Sequence, residues 1–179
     1  DGSSSRSALI EKVADFAPCG TVHGQRREAL AMFETICVGY DGSEPSDRAV
    51  RVACNLAGKY GSDVHIVHTP HIETIAFAMG AVTGYHVATT MPSPKETAKS
   101  ANIVIERAVN TASAAGCFNI TTHIGTGDAA QALIDYAQSV GADLIVTGRR
   151  GLGSLSAMVL GSTSQSVGRM ADCAHLTVR

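Results

Sequence analysis

Several function classes are excluded by what the sequence lacks. Neither sign of charge dominates: 14 lysines and arginines face 16 aspartates and glutamates, a net charge of −2. No strongly basic face is implied, so nucleic acid is not expected as a partner. No apolar run approaches the roughly 18 residues of a membrane span, and no charged start leads into an apolar h-region. A soluble, cytoplasmic protein with no membrane partner is therefore expected. Cys19, Cys37, Cys54, Cys117 and Cys173 make an odd count with no C-x-x-C pair. They read as reduced thiols, several at apolar positions of strands or helices, in a reducing compartment. The G-x-S-x-G elbow, the H-E-x-x-H helix and the Walker G-x4-G-K-[S/T] loop are all absent. Nothing pairs a general base with a nucleophile, so no catalytic residue is expected, and Asp135, Asp143 and Asp172 read as exposed helix or cap residues. His65 and His68 stand three apart on one strand and so point to opposite faces, which argues against a metal site and for satisfied or partly exposed histidines.

What is present fits one folded domain. A chain of 179 residues with 45% hydrophobic content can bury one sizeable core. Residues 1–32 differ from the rest: a polar start precedes a short amphipathic piece (Leu9, Ile10, Val13, Phe16) that Pro18 and Gly20 end. This extension reads as a disordered terminus, in preference to a packing or partner-binding helix. From residue 33 to 179 apolar strands alternate with amphipathic helices. Thr35–Tyr40 is a strand that stops at Asp41-Gly42-Ser43; Ala49, Val50, Ala53, Leu56 and Ala57 then share one helical face up to a stop at Gly61. Val64–His68 is the second strand, and residues 72–91 show no clear period. Ser93-Pro94-Lys95-Glu96 is a capping box opening a helix with Ala101, Val104, Ile105, Ala108, Val109 and Ala112 inward. A strand over Ile120–Ile124 follows, then a helix capped by Asp128 with a stripe of Leu133, Ile134, Ala137 and Val140. The strand Asp143–Thr147, a helix over Ser162–Met170 and a strand over His175–Val178 complete the pattern.

Strands separated by helices form a parallel sheet through right-handed crossovers, and ligands bind such sheets where the winding reverses, beyond the C-terminal strand ends. The fold class is thus α/β, an open five-stranded parallel sheet with helices on both faces and strand order 3-2-1-4-5. The reversal then falls between strands one and four. Strand one ends at Asp41. Strand four runs into Gly148, Arg149, Arg150 and Gly151, and the loop closes through Gly153 and Gly161 on Ser162, Thr163 and Ser164. Glycines admit a ligand to main-chain N–H groups. Hydroxyl residues at a helix start add donors to its free N–H groups and positive dipole end, and arginines suit phosphate. The loop is built to hold an anion, most plausibly phosphate. A carboxylate opposite would repel phosphate, which assigns Asp41 to the sugar or base of a nucleotide; by itself it reads equally well as a turn aspartate.

These residues resemble the nucleotide-binding branch of the universal stress protein family, whose G-x2-G-x9-G-[S/T] spacing is matched by Gly148, Gly151, Gly161 and Ser162. TICVGYDGSEPS is similar to its first strand and turn, and the likeness runs from about residue 35 to 179. The resemblance implies an ATP-binding stress or signalling module, with ADP or AMP as other occupants, acting as a homodimer through the last strand, with an unidentified protein partner. It implies that Asp41 and Gly39 lie at the adenosine, that main chain around Thr69 faces adenine, and that Gly127 lies near the ribose. Thr147, Gly148, Arg149, Arg150 and Gly151 would line the ribose and phosphate path, with Gly161, Ser162, Thr163 and Ser164 on the phosphates. Mg²⁺ or Mn²⁺ bridging phosphate oxygens is compatible with such a site. Two alternatives are a weak ATPase or self-phosphorylating protein and a nucleotide-free scaffold. Two positions depart from the family pattern: Cys173-Ala174-His175 replaces the usual Cys-Pro pair, and Ala129 stands where Pro is common.

Overall fold

The computed structural model describes residues 32–70, 93–152 and 161–179, all within the compact unit Ala31–Arg179. The expectations for the arm before residue 32, for the segment 72–91, for Cys19 and for Gly153 lie outside the described residues.

Strands and helices alternate: β1 (Thr35–Gly39), α1 (Glu44–Tyr60), β2 (Asp63–His68), α2 (Pro94–Ala114), β3 (Ile120–Ile124), α3 (Ala129–Ser139), β4 (Leu144–Gly148), α4 (Ser162–Met170) and β5 (Ala174–Val178). The strands form one parallel sheet in the order β3-β2-β1-β4-β5, as the alternation predicts. β1 is central, pairing Ile36 with Val64 on one side and with Leu144 on the other. Boundaries move by a residue or two from those expected. Tyr40, for example, lies just past β1, although its N–H still donates to Val67 O at 2.9 Å.

The helices begin and end where local chemistry dictates. Ser43 caps α1 by accepting from Ser46 N, and Gly61 ends that helix with φ 75°. The Ser93 and Glu96 capping box is complete in α2, and Asp128 accepts from Gln131 N at 2.9 Å to open α3. α4 differs, because its N-cap is Gly161, which has no side chain to satisfy the helix start.

Two cores result because successive strand residues face opposite sides of the sheet. Ile36, Val38, Val64, Ile66, Leu144 and Val146 pack with Ala49, Val50, Ala53, Val104 and Ala108 of α1 and α2. Cys37, Val67 and Ile145 pack with Leu133, Ile134 and Ala137 of α3 and Val167 of α4. Both faces of the central strands are therefore buried, which is why they read as continuous apolar runs. Full burial of one such Ile or Leu stabilises by about 1.5–3 kcal/mol. Cys37, Cys54, Cys117 and Cys173 are free thiols. Burial pushes Cys37 and Cys54 up to about 12, so both behave as core residues rather than nucleophiles.

Candidate functional site

The ends of β1 and β4 are neighbours, and the residues that follow them meet. Asp41 uses one carboxylate oxygen locally, accepting from Ser43 N at 2.9 Å in a turn that leads into α1. Its other oxygen accepts from Leu152 N at 3.1 Å across the crevice. The turn role and the crevice role, which the sequence left as alternatives, are both filled by the same residue. A Cβ at Gly151 would collide with Asp41 Oδ2, so only glycine lets the loop approach this carboxylate.

The other loop residues are held by main-chain bonds. Arg149 N donates to Val178 O at 2.6 Å, and Gly161 N donates to Arg149 O at 2.8 Å. These bonds fold the loop back so that α4 starts beside its own first residues. A Cβ on Gly161 would lie 3.4 Å from Arg149 O and from Arg150 Cα. Gln165 N donates to Gly161 O, the first bond of the helical ladder, so the N–H groups of Ser162, Thr163 and Ser164 precede it. The positive end of the α4 dipole thus lies in a stretch where the capping residue is a glycine. Arg149 and Arg150 are half-buried, Ser162 is exposed and Thr163 is half-buried.

Several expected site residues prove to have another task. Gly148 was expected on the ribose and phosphate path, yet its hydrogen faces α1: a Cβ would lie 2.8 Å from Pro45 C and 2.9 Å from Pro45 O. Gly39 likewise makes room for Leu133, whose Cδ2 would be 2.8 Å from a Cβ. Both are required by close strand–helix approach, whatever the ligand. Thr147 was expected on the ribose and phosphate path and Ser164 on the phosphates; their hydroxyls are buried and bonded to one another at 3.0 Å. Thr147 Oγ1 is also 2.8 Å from His175 Nε2, and Ser164 Oγ is 3.0 Å from Thr177 Oγ1. A polar chain therefore fastens the first turn of α4 to β4 and β5, leaving Ser164 with its main-chain N–H toward the helix start. Burial holds His175 below its ordinary value of 6.5. Gly127 has φ 81° with nothing within 4 Å of a Cβ position, consistent with open space beside it. Thr69 follows β2 and its hydroxyl packs on Gly125, 2.8 Å from a Cβ placed there.

Two features carried no sequence motif. Tyr40 OH donates to Asp47 Oδ1 at 2.5 Å, while Arg107 Nη2 from α2 donates to Asp47 Oδ2 at 2.5 Å. This group, buried at Tyr40 and Asp47 and open to solvent at Arg107, anchors the residue just before Asp41 to α1 and α2. Burial and the bond to Asp47 raise the Tyr40 phenol well above its ordinary value. The second feature is His68. Satisfied or partly exposed histidines were expected, and His65 fits, its Nδ1 lying 3.1 Å from Tyr136 OH on the α3 side of the sheet. His68 departs from this: it is 1% exposed, its Nδ1 lies 2.9 Å from Tyr40 O, and its Nε2 has no hydrogen-bond partner. Among the described residues no group of three His, Cys, Asp or Glu could hold a metal ion, and no helix is long and apolar enough to cross a membrane. An open groove of about 550 Å³ between α1 and α2, lined by Arg51, Ile103, Glu106, Arg107 and Asn110 among others, contains none of the expected site residues.

Comparison with known proteins places this arrangement. The profile of the universal stress protein family matches residues 32–179. Universal stress protein YxiE of Bacillus subtilis is 30% identical over 151 residues, covering 83% of this chain and all of that protein. A universal stress protein of Thermus aquaticus is 34% identical over 152 residues, with 83% and 100% covered. A solved universal stress protein in complex with cAMP superposes with a TM-score of 0.59 at 27% identity, covering 82% of this chain and 97% of that one.

Proposed function

Because the chain belongs to the universal stress protein family, we propose that its crevice binds an adenine nucleotide, ATP or its ADP or AMP counterparts. The occupied protein acts as a nucleotide-dependent stress or signalling module. The observation that carries this reading is the α4 N-terminus, capped only by Gly161 and set in the same loop as Gly151, which lies against Asp41. Phosphate oxygens suit the N–H groups of Ser162, Thr163 and Ser164 and the flanking arginines. Asp41 lies on the other side, where a carboxylate favours hydroxyl or amino donors over phosphate. The cAMP held by the similar solved structure is an adenine nucleotide and supports the same ligand class. Mg²⁺ or Mn²⁺ at this site would take its ligands largely from phosphate and water, since no acidic cluster stands among the described residues.

A homodimer through β5 accompanies this proposal. β5 is an edge of the sheet and Leu176 is 37% exposed on it, a strand edge of the kind that another chain can pair with.

Purified protein, denatured and run on ion exchange, is expected to release ATP, ADP or AMP, or, if nucleotide-free, to bind ATP in calorimetry. A preparation that neither releases nor binds adenine nucleotide contradicts the reading. Labelled ATP separates binding from turnover. Release of phosphate or label on Ser162 or Thr163 would convert the module into a slow enzyme; Ser164 is a poor acceptor because its hydroxyl is already bonded within the core.

A further inference from the structure

His175 of β5 reaches α4 near both of its ends. Its ring lies directly against the last turn, where a Cβ on Gly168 would come within 3.3 Å of Nδ1. Glycine inside a helix is unfavourable, and here the missing side chain leaves the imidazole its place. The second route is through Thr147, whose Oγ1 lies 2.8 Å from His175 Nε2 and donates to Ser164 Oγ at 3.0 Å in the first turn. Thr147 has one hydroxyl proton and Ser164 receives it, so Nε2 must supply the proton of the other contact. Burial keeps the ring neutral near pH 7, with its single N–H therefore on Nε2. Ser164, having accepted from Thr147, is left with its own proton for Thr177 Oγ1 at 3.0 Å. The chain runs in one direction, from imidazole to helix, and each donor polarises the next.

This link matters because no side-chain cap holds the start of α4. Gly161 contributes no such bond, whereas Ser43, Ser93 and Asp128 each accept from a main-chain N–H in the first turn of their helices. The Ser164 hydroxyl, buried and tied to both β4 and β5, takes over the task of fixing that turn. Because α4 has only nine residues, a shift at Ser164 moves the N–H groups of Ser162, Thr163 and Ser164 together.

We propose that His175 is a positioning residue for the phosphate end of the nucleotide: its Nε2–H, relayed by Thr147 to Ser164, holds the first turn of α4 where its N–H groups converge on phosphate. His175 acts through Thr147 and touches no ligand itself. The sugar and base, on the Asp41 side, do not depend on it. The inference rests on nucleotide binding in this crevice and adds what sets the phosphate share of the affinity.

The test is equilibrium binding of ATP and of adenosine to the full chain, with thermal melting alongside, in the wild type and in His175→Leu, His175→Asn and His175→Gln. Glutamine carries an N–H donor near the place of Nε2; asparagine, one methylene shorter, carries its polar group near Nδ1 and does not reach Thr147. His175→Leu and His175→Asn are expected to lose about threefold to tenfold in ATP affinity, the size of one hydrogen bond. Adenosine affinity stays within about twofold, and His175→Gln restores most of the ATP affinity. A merely structural role would weaken ATP and adenosine alike, and that result overturns the proposal. Unchanged ATP affinity in folded His175→Leu, or His175→Asn binding ATP as well as His175→Gln, also overturns it. Each of these leaves nucleotide binding standing, whereas a wild type that binds no ATP overturns both readings. If His175→Leu does not fold, the contrast between His175→Asn and His175→Gln decides in the same terms.

Discussion

Gly151 and Gly148 sit three residues apart in one motif, and the structure separates what each contributes. Gly151 faces a side chain, the Asp41 carboxylate, which can swing away; Gly148 faces the backbone of Pro45, which cannot. Gly151→Ala is therefore expected to displace Asp41 and weaken ATP binding by about tenfold or more, with a stability loss below about 1 kcal/mol, measured by calorimetry beside denaturant unfolding. Gly148→Ala should instead cost about 1–3 kcal/mol in the unfolding measurement, the usual penalty for overpacking a rigid site. The motif spacing located both glycines, because turn chemistry is written in residue type. It did not distinguish them, because Pro45 and Asp41 reach the loop from a distant part of the chain. The orphan nitrogen of His68 was illegible for the same reason: its state depends on the carbonyl of Tyr40, a partner that no local pattern names.

Helix starts and stops were legible in the sequence. Ser93, Asp128 and Gly61 act within a few residues of themselves, and each caps or ends its helix as expected. Polar links between elements were not. The Thr147, Ser164, Thr177 and His175 chain ties α4 to β4 and β5, so the loop's helix is held in place by groups that looked like ligands. Thr147→Val should cost about 1–3 kcal/mol by leaving buried partners unsatisfied, seen as a lower unfolding midpoint. His68 and His175 are both held below 6.5 by burial. The unfolded chain takes up protons there before the folded one does, so these groups leave stability flat above about pH 7 and remove it as pH falls through about 6.5. The slope from His68 is at most about 1.4 kcal/mol per pH unit, and His175, partly open to water, adds less. Melting temperatures across about pH 7 to 5 check this, and His175→Gln should lessen the decline.

At the scale of the whole molecule, strand order was legible because alternating strands and helices leave few topologies, and the reversal between β1 and β4 follows from that order. The direct contact across the crevice, Asp41 to Leu152, was not, since strand order sets neighbours but not loop closure. The exposed β5 edge predicts that Leu176→Lys shifts the chain toward monomer in analytical ultracentrifugation without loss of ATP binding; an unchanged mass distribution counts against dimerisation through β5. The central claim, phosphates on the α4 N-terminus with Asp41 on the sugar and base side, is tested most directly by amide NMR of the full chain titrated with ATP. The account predicts saturable shifts at Gly151, Ser162, Thr163 and Ser164, accompanied by Asp41. No shift at those amides, or shifts confined to the groove between α1 and α2, would contradict it.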